Sequence, residues 1–529
     1  MPRPGFVLDV DRSTPPLLFW HGEGFRLEKL PPERTRVIYP PEPLDPMKDP
    51  QAAIRRALLN PLGDSKPLPE LLFPDMKLTI AFDDVSLPLP PMRRPDVRQR
   101  VIEAVLDMAA EAGVDDVHLI AALALHRRMT EAELRHAVGD RVYDAFAPSG
   151  RLYNLDAEDT DAMAYLGTTE SGEEVEINRR AAESDLLVYV NINLVAMDGG
   201  WKSTATGLAS YRSLRHHHNV HTLQQSRSLM DHHRSELHSS NWRMGKVITD
   251  AGVKIFQIET TLNTDTFPSP FEFLMKREWE WTARDRALFI GSSKSLARTP
   301  SRITRQIFQS IKAPHQMTSV QAGEVGPVHE ETIRNVHRQQ LVEVDGQTDI
   351  LAMGLPYICP YNVNSIMNPI LVMCLGLGYF FNLYRNKPLV REGGVLIMSH
   401  PTPWEFHPVH HPSYIDFFEQ VLSETTDPLR IEAEFEKGFA EDEWYRHLYR
   451  TSYAYHGVHP FYMWYWGAHA LQHVGRVIIV GGEPRSVRRL GFMPASTMND
   501  ALEMASDVVG RTPTITHLHV PPLLLADVK

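Results

Sequence analysis

The chain has 529 residues, 43% of them hydrophobic and 23% charged, which predicts a globular protein of two or three domains with a large core. Its formal charge of -12 comes from 66 acidic and 54 basic residues without a long run of one sign, which argues against a nucleic-acid binder. The two cysteines are too few for a disulfide framework, and the first residues lack the layout of a signal peptide. We therefore expect a cytoplasmic protein.

The first fifty residues are rich in proline, which fixes the backbone and removes amide donors. We expect residues 1–50 to form an extension that wraps over the surface. Much further along, the stretch 365–384 approaches the length of a membrane span, but Asn368, Pro369 and Asn382 interrupt it. This composition predicts a buried helix and no membrane association.

Alternating strand and helix patterns begin after the proline-rich start. Residues 77–84 read as a buried strand ending in acids, a helix of about twenty residues follows, and 117–125 reads as the next strand. A strand, a helix and a strand in this order indicate parallel pairing with a right-handed crossover. The predicted fold class is therefore α/β.

The same pattern recurs before residue 196 and again in the second half of the chain, at 348–357, 393–399 and 476–482. This repetition favours two doubly wound α/β domains. We place the first at 51–285 and the second at 286–529, with its last segment packing back on the first. The oligomeric state is not predictable from these patterns.

In such folds ligands bind beyond the carboxyl ends of the strands. His126 follows one predicted strand, just before Thr130 and Glu133, which are spaced as a helix capping box. Its position alone fits a packed structural histidine as well as a site residue.

A second candidate region is the stretch from Gly199 to His221, which contains one lysine after a glycine pair and then three consecutive histidines. Gly199 and Gly200 would let a ligand approach the backbone near Lys202, although a solvated lysine is an equally simple interpretation. His217 and His221 are four residues apart and would share one helix face, which is compatible with metal binding.

Three segments together resemble the nickel-dependent lactate racemase family: LALHRRMTEAEL at 123–134, LGTTESGEEVEINR at 166–179 and GGWKSTATGLASYRSLRHHH at 199–218. They occur in the family's order, with their internal spacing kept. The resemblance implies two α/β domains with the active site in the cleft between them. We place about residues 75–529 inside the resemblance, and the proline-rich start and much of 285–315 outside it.

The resemblance implies a nickel-pincer nucleotide, a pyridinium-3-thioamide-5-thiocarboxylic acid mononucleotide, joined to Lys202 as a thioamide. Two sulfurs and a ring carbon of this cofactor would bind nickel, and His218 would complete a square-planar set of ligands. His126 would take the proton of the substrate hydroxyl while a hydride moves to the cofactor. The expected enzyme is a racemase or epimerase, or alternatively an oxidoreductase, and its expected substrate is a 2-hydroxy acid or sugar acid. Cofactor-maturation proteins are its expected partners.

The chain departs from the family where the substrate should bind. The family's second acid/base histidine corresponds to Ile192 or Asn193, and Asn193 can hydrogen-bond but cannot relay a proton. Leu87 stands where the family has a carboxylate-binding arginine, three residues after Asp84. These differences predict a changed substrate.

We expect contacts to that substrate in the loop that follows the strand at 393–399, because this loop is rich in histidine and aromatic residues. The predicted substrate-binding residues are Asp84, His400, Trp404 and His407, beside Asn193 as a catalytic candidate. Two alternatives remain open at this point: a zinc-type hydrolase with His217, His221 and Glu236 as ligands, and a non-catalytic relative that binds the cofactor.

Overall fold

The computed structural model describes residues 6–87 and 90–529. Residues 1–5, the beginning of the predicted extension, lie outside this part. The described residues form twenty strands, in chain order: β1 Val7–Asp9, β2 Leu17–Gly22, β3 Phe25–Glu28, β4 Thr35–Ile38, β5 Lys77–Asp83, β6 Asp116–Ala122, β7 Leu152–Asn154, β8 Met163–Thr168, β9 Glu174–Asn178, β10 Leu186–Asn193, β11 Ile255–Leu262, β12 Met317–Gly323, β13 Leu341–Val344, β14 Thr348–Pro356, β15 Tyr384–Arg385, β16 Val390–Ser399, β17 Arg476–Val480, β18 Met493–Ala495, β19 Ile515–Leu518 and β20 Leu525–Val528.

The α-helices of the described residues connect and cover these strands. They are α1 Pro50–Leu59, α2 Leu68–Leu71, α3 Val97–Glu111, α4 Glu131–Val138, α5 Asp140–Phe146, α6 Arg179–Ala182, α7 Trp201–Gly207, α8 Tyr211–Leu214, α9 Val220–Gln225, α10 Glu236–Asp250, α11 Ala283–Arg298, α12 Ser301–Gln309, α13 Val325–Gln340, α14 Pro369–Met373, α15 Pro412–Asp416, α16 Leu422–Glu424, α17 Pro428–Ile431, α18 Lys437–Glu441, α19 Glu443–Thr451, α20 His459–Tyr465, α21 Ala468–His473, α22 Pro484–Arg489 and α23 Met498–Val509.

A six-stranded sheet has the order β12-β11-β10-β5-β6-β7, and its strands are parallel except for β12, which runs antiparallel to β11. β5 and β10 are buried along almost their whole length, as expected of parallel strands covered on both faces. α3 connects β5 to β6, which confirms the predicted βαβ unit. The edge strand β12 of this smaller sheet comes from residues 317–323. These residues lie beyond residue 285, where we predicted the boundary between the two domains, and that boundary stays a prediction.

A nine-stranded sheet is built around parallel β14, β16, β17 and β19. The proline-rich start contributes to it, because β4 pairs with β19 and β2 pairs with β14. Prolines cannot continue a helix but are tolerated next to strand ends, and here they flank β2 and β4. The proline-rich start of the chain is therefore part of the larger sheet.

The two sheets share one continuous apolar core. β20 lies between β13 and β15, and β13 directly follows α13, which packs on β11 and β12 of the smaller sheet. The architecture confirms the α/β class.

The apolar stretch at 365–384 folds as α14 followed by a π-helical segment, Cys374–Phe380, with every side chain of both elements buried. This confirms the predicted buried helix. Within the described ranges no helix has the length and apolarity that crossing a bilayer requires.

Candidate active site

A cavity of about 120 Å³ opens at the carboxyl ends of β5, β6 and β10. Its wall combines residues that follow these three strands with residues from the second half of the chain. The lining is Asp83, Asp84, Ser86, Leu87, Ala122, Ala124, His126, Tyr189, Asn191, Ile192, Asp198, Gly199, Lys202, Ser203, Thr206, Gly207, His218, Tyr361, Tyr379 and Trp466. Of the predicted site residues, Asp84, His126, Gly199, Lys202 and His218 are thus brought together.

Lys202 lies in the first turn of α7, and its side chain is one-fifth exposed, toward the cavity that it lines. Its Nζ lies 3.5 Å from the Asp198 carboxylate, one helical turn earlier. Burial raises the pKa of Asp198 above its ordinary value, and the ammonium group of Lys202 opposes part of that rise. The lysine amine is therefore held by one partly exposed carboxylate and reaches the cavity.

Gly199 and Gly200 both have positive φ, 89° and 61°, which an L side chain adopts at a cost. A Cβ atom on Gly199 would come within 2.4 Å of Asn193 Nδ2 and 2.7 Å of Glu259 Oε1. A Cβ atom on Gly200 would come within 2.9 Å of the His329 ring. The space freed by this pair is thus filled by protein side chains, and only Gly199 also lines the cavity.

His218 is buried between the aromatic rings of Tyr462 and Trp466, with ring centroids at 5.3 and 5.4 Å. Its Nδ1 has no hydrogen-bond partner among the described residues. Burial lowers the pKa of His218 well below the ordinary value of 6.5, so the imidazole is neutral. A neutral imidazole facing a cavity with an unpartnered nitrogen is suited to metal ligation.

His126 forms a pair with Asp84: its Nδ1 lies 2.8 Å from Asp84 Oδ2. The carboxylate also accepts bonds from the backbone N–H and the hydroxyl of Ser86. Burial by itself raises the pKa of Asp84, but His126 and the Ser86 bonds outweigh it and hold the pKa below its ordinary value. The carboxylate therefore stays ionised and orients an imidazole that lines the cavity, an arrangement typical of a general base.

Asp83 was missed as a site residue, although its position in the acidic end of the strand was visible in the sequence. Its carboxylate accepts bonds from the Ile192 N–H at 2.7 Å, Asn191 Nδ2 at 2.8 Å and Tyr189 Oη at 3.3 Å. These three partners are on β10, whereas Asp84 reaches His126 after β6, on the other side of β5. Burial raises the pKa of Asp83 to about 7, so near neutrality it can both give and take a proton.

The comparisons with known proteins match part of the sequence and the fold. The family model for the lactate racemase N-terminal domain matches residues 21–231. A curated lactate racemase from Lactiplantibacillus plantarum is 27% identical over 172 residues, 32% of this chain and 38% of the relative. One from Thermoanaerobacterium thermosaccharolyticum is 27% identical over 174 residues, 31% of this chain and 37% of the relative. The chain thus spans less than two-fifths of the length of these curated relatives.

The lactate racemase apoprotein from T. thermosaccharolyticum has the same fold, with a TM-score of 0.63 and 17% identity over 97% of this chain and 99% of that chain. Residues 21–231 of this chain thus resemble the lactate racemase N-terminal domain, and the chain as a whole shares the fold of a lactate racemase apoprotein. The family match begins at residue 21, so the expectation that the resemblance starts near residue 75 was wrong: the end of β2 and all of β3 and β4 lie inside it.

Other residues predicted from the family resemblance lie outside the cavity lining. Asn193 is buried, and its Nδ2 donates to the Asp198 carbonyl at 2.7 Å, so it fastens the loop before Lys202. His400 is buried beside Gly22, with its Nδ1 accepting from the Thr402 N–H. Asn193 therefore supports the lysine loop, while His400 belongs to the larger sheet.

Trp404 and His407 continue the loop after β16. Trp404 donates its backbone N–H to Glu483 and its indole N–H to Glu419, and the Arg485 guanidinium lies 4.1 Å from its ring centroid. His407 accepts from the backbone N–H of His410 at 3.0 Å. Both side chains bind other parts of their own domain and not the cavity.

The zinc ligand set considered as an alternative does not form. His217 is buried, His221 is exposed, and Glu236 accepts a bond from Arg243 at 2.8 Å. Over residues 6–87 and 90–529 no three histidine, cysteine, aspartate or glutamate side chains lie together as a metal site. The hydrolase alternative therefore loses its structural basis, because its three proposed ligands lie in different surroundings in the fold.

The second half of the chain supplies residues that sequence reasoning did not find. Tyr361, Tyr379 and Trp466 line the cavity, and the hydroxyls of the two tyrosines are 2.9 Å apart. They lie more than 150 residues after Lys202, and nothing in their local sequence marks them as site residues.

Proposed function

We propose that this protein is a nickel-pincer-nucleotide-dependent racemase or epimerase, which inverts a secondary-alcohol carbon through a transient ketone. The observation that supports this most is the convergence of Lys202, His218 and His126 on one cavity. The family supports the reaction class, while the cofactor and the substrate are parts of the proposal. A 2-hydroxy acid or sugar acid is the substrate class that the resemblance predicts.

The residues of the cavity fit the cofactor. Lys202 offers a partly exposed amine for covalent attachment, and its single ion-pair partner, Asp198, is itself at the cavity wall. His218 offers a neutral imidazole whose Nδ1 is unpartnered among the described residues. When bound, the cofactor would supply an acceptor and donor of hydride. The maturation proteins that make it are the predicted partners.

The chain itself moves the proton. If His126 Nδ1 carries its hydrogen toward Asp84, Nε2 is left as the acceptor for the proton of the substrate hydroxyl. The ionised Asp84 carboxylate then stabilises the imidazolium that forms. The intact pair favours a catalytic protein over a relative that only binds the cofactor.

Inversion needs either one base that exchanges the hydroxyl proton of both stereoisomers or two bases, and Asp83 is suited to be the second. Its carboxylate lines the cavity and touches the backbone of Ile192, the residue that stands where the family resemblance implies a histidine. Because Asp83 and His126 approach from opposite sides of β5, each can serve one stereoisomer. Asp83 thus takes the role that Ile192 cannot perform.

The test is protein made together with the cofactor-synthesis machinery, followed by mass analysis of the peptide that contains Lys202 and by nickel analysis. We expect a mass increase and about one nickel per chain in the wild type. Lys202→Arg should abolish both the mass increase and the nickel. His218→Ala should keep the mass increase but lose nickel, because the amine attaches the cofactor whereas the imidazole binds the metal.

His233→Ala is the matched control, because this exposed histidine lies outside the cavity lining. It should behave as the wild type. An unmodified Lys202 peptide in nickel-containing wild type, or unchanged nickel in His218→Ala, would count against the proposal.

A further inference from the structure

The cavity is rich in negative charge. Asp84 and Asp198 line it, together with Asp83, which loses its proton only near pH 7, and Lys202 is its one cationic side chain in the described lining. A carboxylate ligand would face like charges at short range, which disfavours its binding.

No arginine lines the cavity in the described part of the chain. Leu87, 8% exposed, occupies the wall three residues after Asp84. The nearby Arg98 guanidinium is already used: it binds Asp96 and the main-chain carbonyls of Asp83 and Asp84. Arg94 pairs with Asp140 at 2.9 Å on the surface. A bidentate partner for a substrate carboxylate is thus missing from the wall.

The hydrogen-bonding groups of the cavity wall also disfavour a carboxylate ligand. Asn191 Oδ1 is an unpartnered acceptor in the wall, beside the acceptor oxygens of the three aspartates. A carboxylate only accepts hydrogen bonds, so it cannot satisfy these oxygens, whereas every alcohol hydroxyl can donate to them. The indole N–H of Trp466 is an unpartnered donor that a hydroxyl oxygen can accept from.

The aromatic side of the wall suits the carbon skeleton of a polyol. Tyr361 and Trp466 offer rings against which C–H groups can pack, and the Tyr361 ring centroid lies 5.2 Å from that of His126. The alcohol carbon would then lie beside the His126–Asp84 pair while its neighbouring hydroxyls reach the carboxylates.

We infer that the substrate is an uncharged polyhydroxylated compound, a sugar or polyol, and not a hydroxy acid. This rests on the proposed function and narrows it. One C–OH carbon would be inverted: its hydroxyl proton passes to His126 or Asp83 and later returns to the same oxygen, while the cofactor, when bound, would accept the hydrogen of the C–H bond as hydride and give it back to the opposite face of the ketone carbon.

The test compares D-sorbitol with D-gluconate, which differ only in a CH₂OH group against a carboxylate at C1. Binding to the unloaded protein is measured by calorimetry, and inversion at C2, to D-mannitol or D-mannonate, is measured with the loaded enzyme. We expect sorbitol to be preferred by about tenfold or more in both measurements, the scale of one charge-assisted contact.

Leu87→Arg should shift the ratio of the two affinities toward gluconate by about tenfold, because it places a guanidinium in the wall. Leu87→Met, which keeps an uncharged side chain of similar volume, should leave the ratio unchanged. Unfolding midpoints show whether each variant is folded, and the preference of the wild type between sorbitol and gluconate decides the outcome if the arginine variant is not.

Preference for gluconate in the wild type, equal affinity for both, or no binding of sorbitol overturns the inference. A failure of the proposed function is seen separately: the loaded enzyme then inverts neither compound and the Lys202 peptide carries no added mass, while the binding ratio of the unloaded protein still decides the charge of the ligand.

Discussion

The carboxyl edges of the two sheets differ in what their polar side chains do. At the smaller sheet, the residues that follow β5, β6 and β10 converge on one cavity and leave polar atoms without partners. At the larger sheet, the loop after β16 binds itself and its neighbours, as His407 does with His410 and Trp404 with Glu483. The loop after β16 also contains unpartnered buried atoms, His400 Nε2 and His410 Nδ1, so the edge of the smaller sheet is distinguished by the empty space that its side chains face.

The proline content of the second loop explains part of this difference. Prolines at 401, 403 and 408 restrict the backbone between β16 and α15 and let side chains such as His400 cap local N–H groups. The stretch around Lys202 instead uses the glycine pair to turn tightly under Asn193, Glu259 and His329. One loop is fixed by its own side chains and the other presents a lysine.

The largest expected effect comes from His126→Asn, which removes the imidazole at the cavity while keeping a polar side chain. Turnover should fall by about 10²–10⁴-fold, the usual contribution of general acid–base catalysis. Nickel content and the mass of the Lys202 peptide should not change. A variant that retains more than a tenth of the wild-type turnover would remove His126 from the mechanism.

Asp83→Asn should lower turnover less, by about 10²-fold. Single-turnover experiments should show that it slows ketone formation from one stereoisomer, while His126→Asn slows the other. The proposal for Asp83 fails if both stereoisomers are affected equally by each variant. Glu436→Gln is the matched control, because burial also raises the pKa of Glu436 to about 7 but this residue lies outside the cavity lining.

The Asp83→Asn variant also tests the raised pKa of Asp83, through its effect on the stability of the protein. Folded Asp83 keeps its proton up to about pH 7, whereas the ordinary value is 3.8. Between these two values the folded state binds more protons than the unfolded state, so the contribution of Asp83 to stability falls as pH rises. The free energy of unfolding of Asp83→Asn should therefore improve relative to wild type over that window, measured by denaturant unfolding. A difference that is constant with pH would contradict the raised pKa.

Gly199→Ala tests the tight turn before Lys202. It combines a positive φ with a close contact to Asn193 and Glu259, and should cost about 2–4 kcal/mol in the free energy of unfolding. Gly172→Ala is matched in φ, 83° against 89°, but a Cβ there meets nothing within 4 Å. It should cost only about 1–2 kcal/mol. Equal costs would show that packing at Gly199 is unimportant.

The smallest effect is expected from His407→Asn in the second loop. Its turnover should stay within about twofold of wild type, because His407 binds the backbone of His410 and does not line the cavity. A loss comparable to that of His126→Asn would erase the distinction between the two sheet edges.

Sequence reasoning reached the features that are local in the chain. The βαβ unit, the capping box of Thr130 with Glu133 and the buried helix at 365–384 follow from short patterns, and all are present. The stretch 199–218 contains both Lys202 and His218, so one motif was enough to name them.

What the sequence could not show depends on long-range packing. Tyr361, Tyr379 and Trp466 join the wall only because the two sheets share a core. Asp83 became a candidate only when its contact with β10 was known. The strands of the proline-rich start were hidden because proline excludes helix without excluding a short strand pairing at its flanks.

The measurement that tests the central claim most directly is nickel X-ray absorption on the loaded wild type and on His218→Ala. The account predicts sulfur ligands and a single imidazole in the wild type, with the imidazole missing in the variant. A nickel surrounded by three or more protein nitrogens or oxygens, or an imidazole signal that persists without His218, would contradict it.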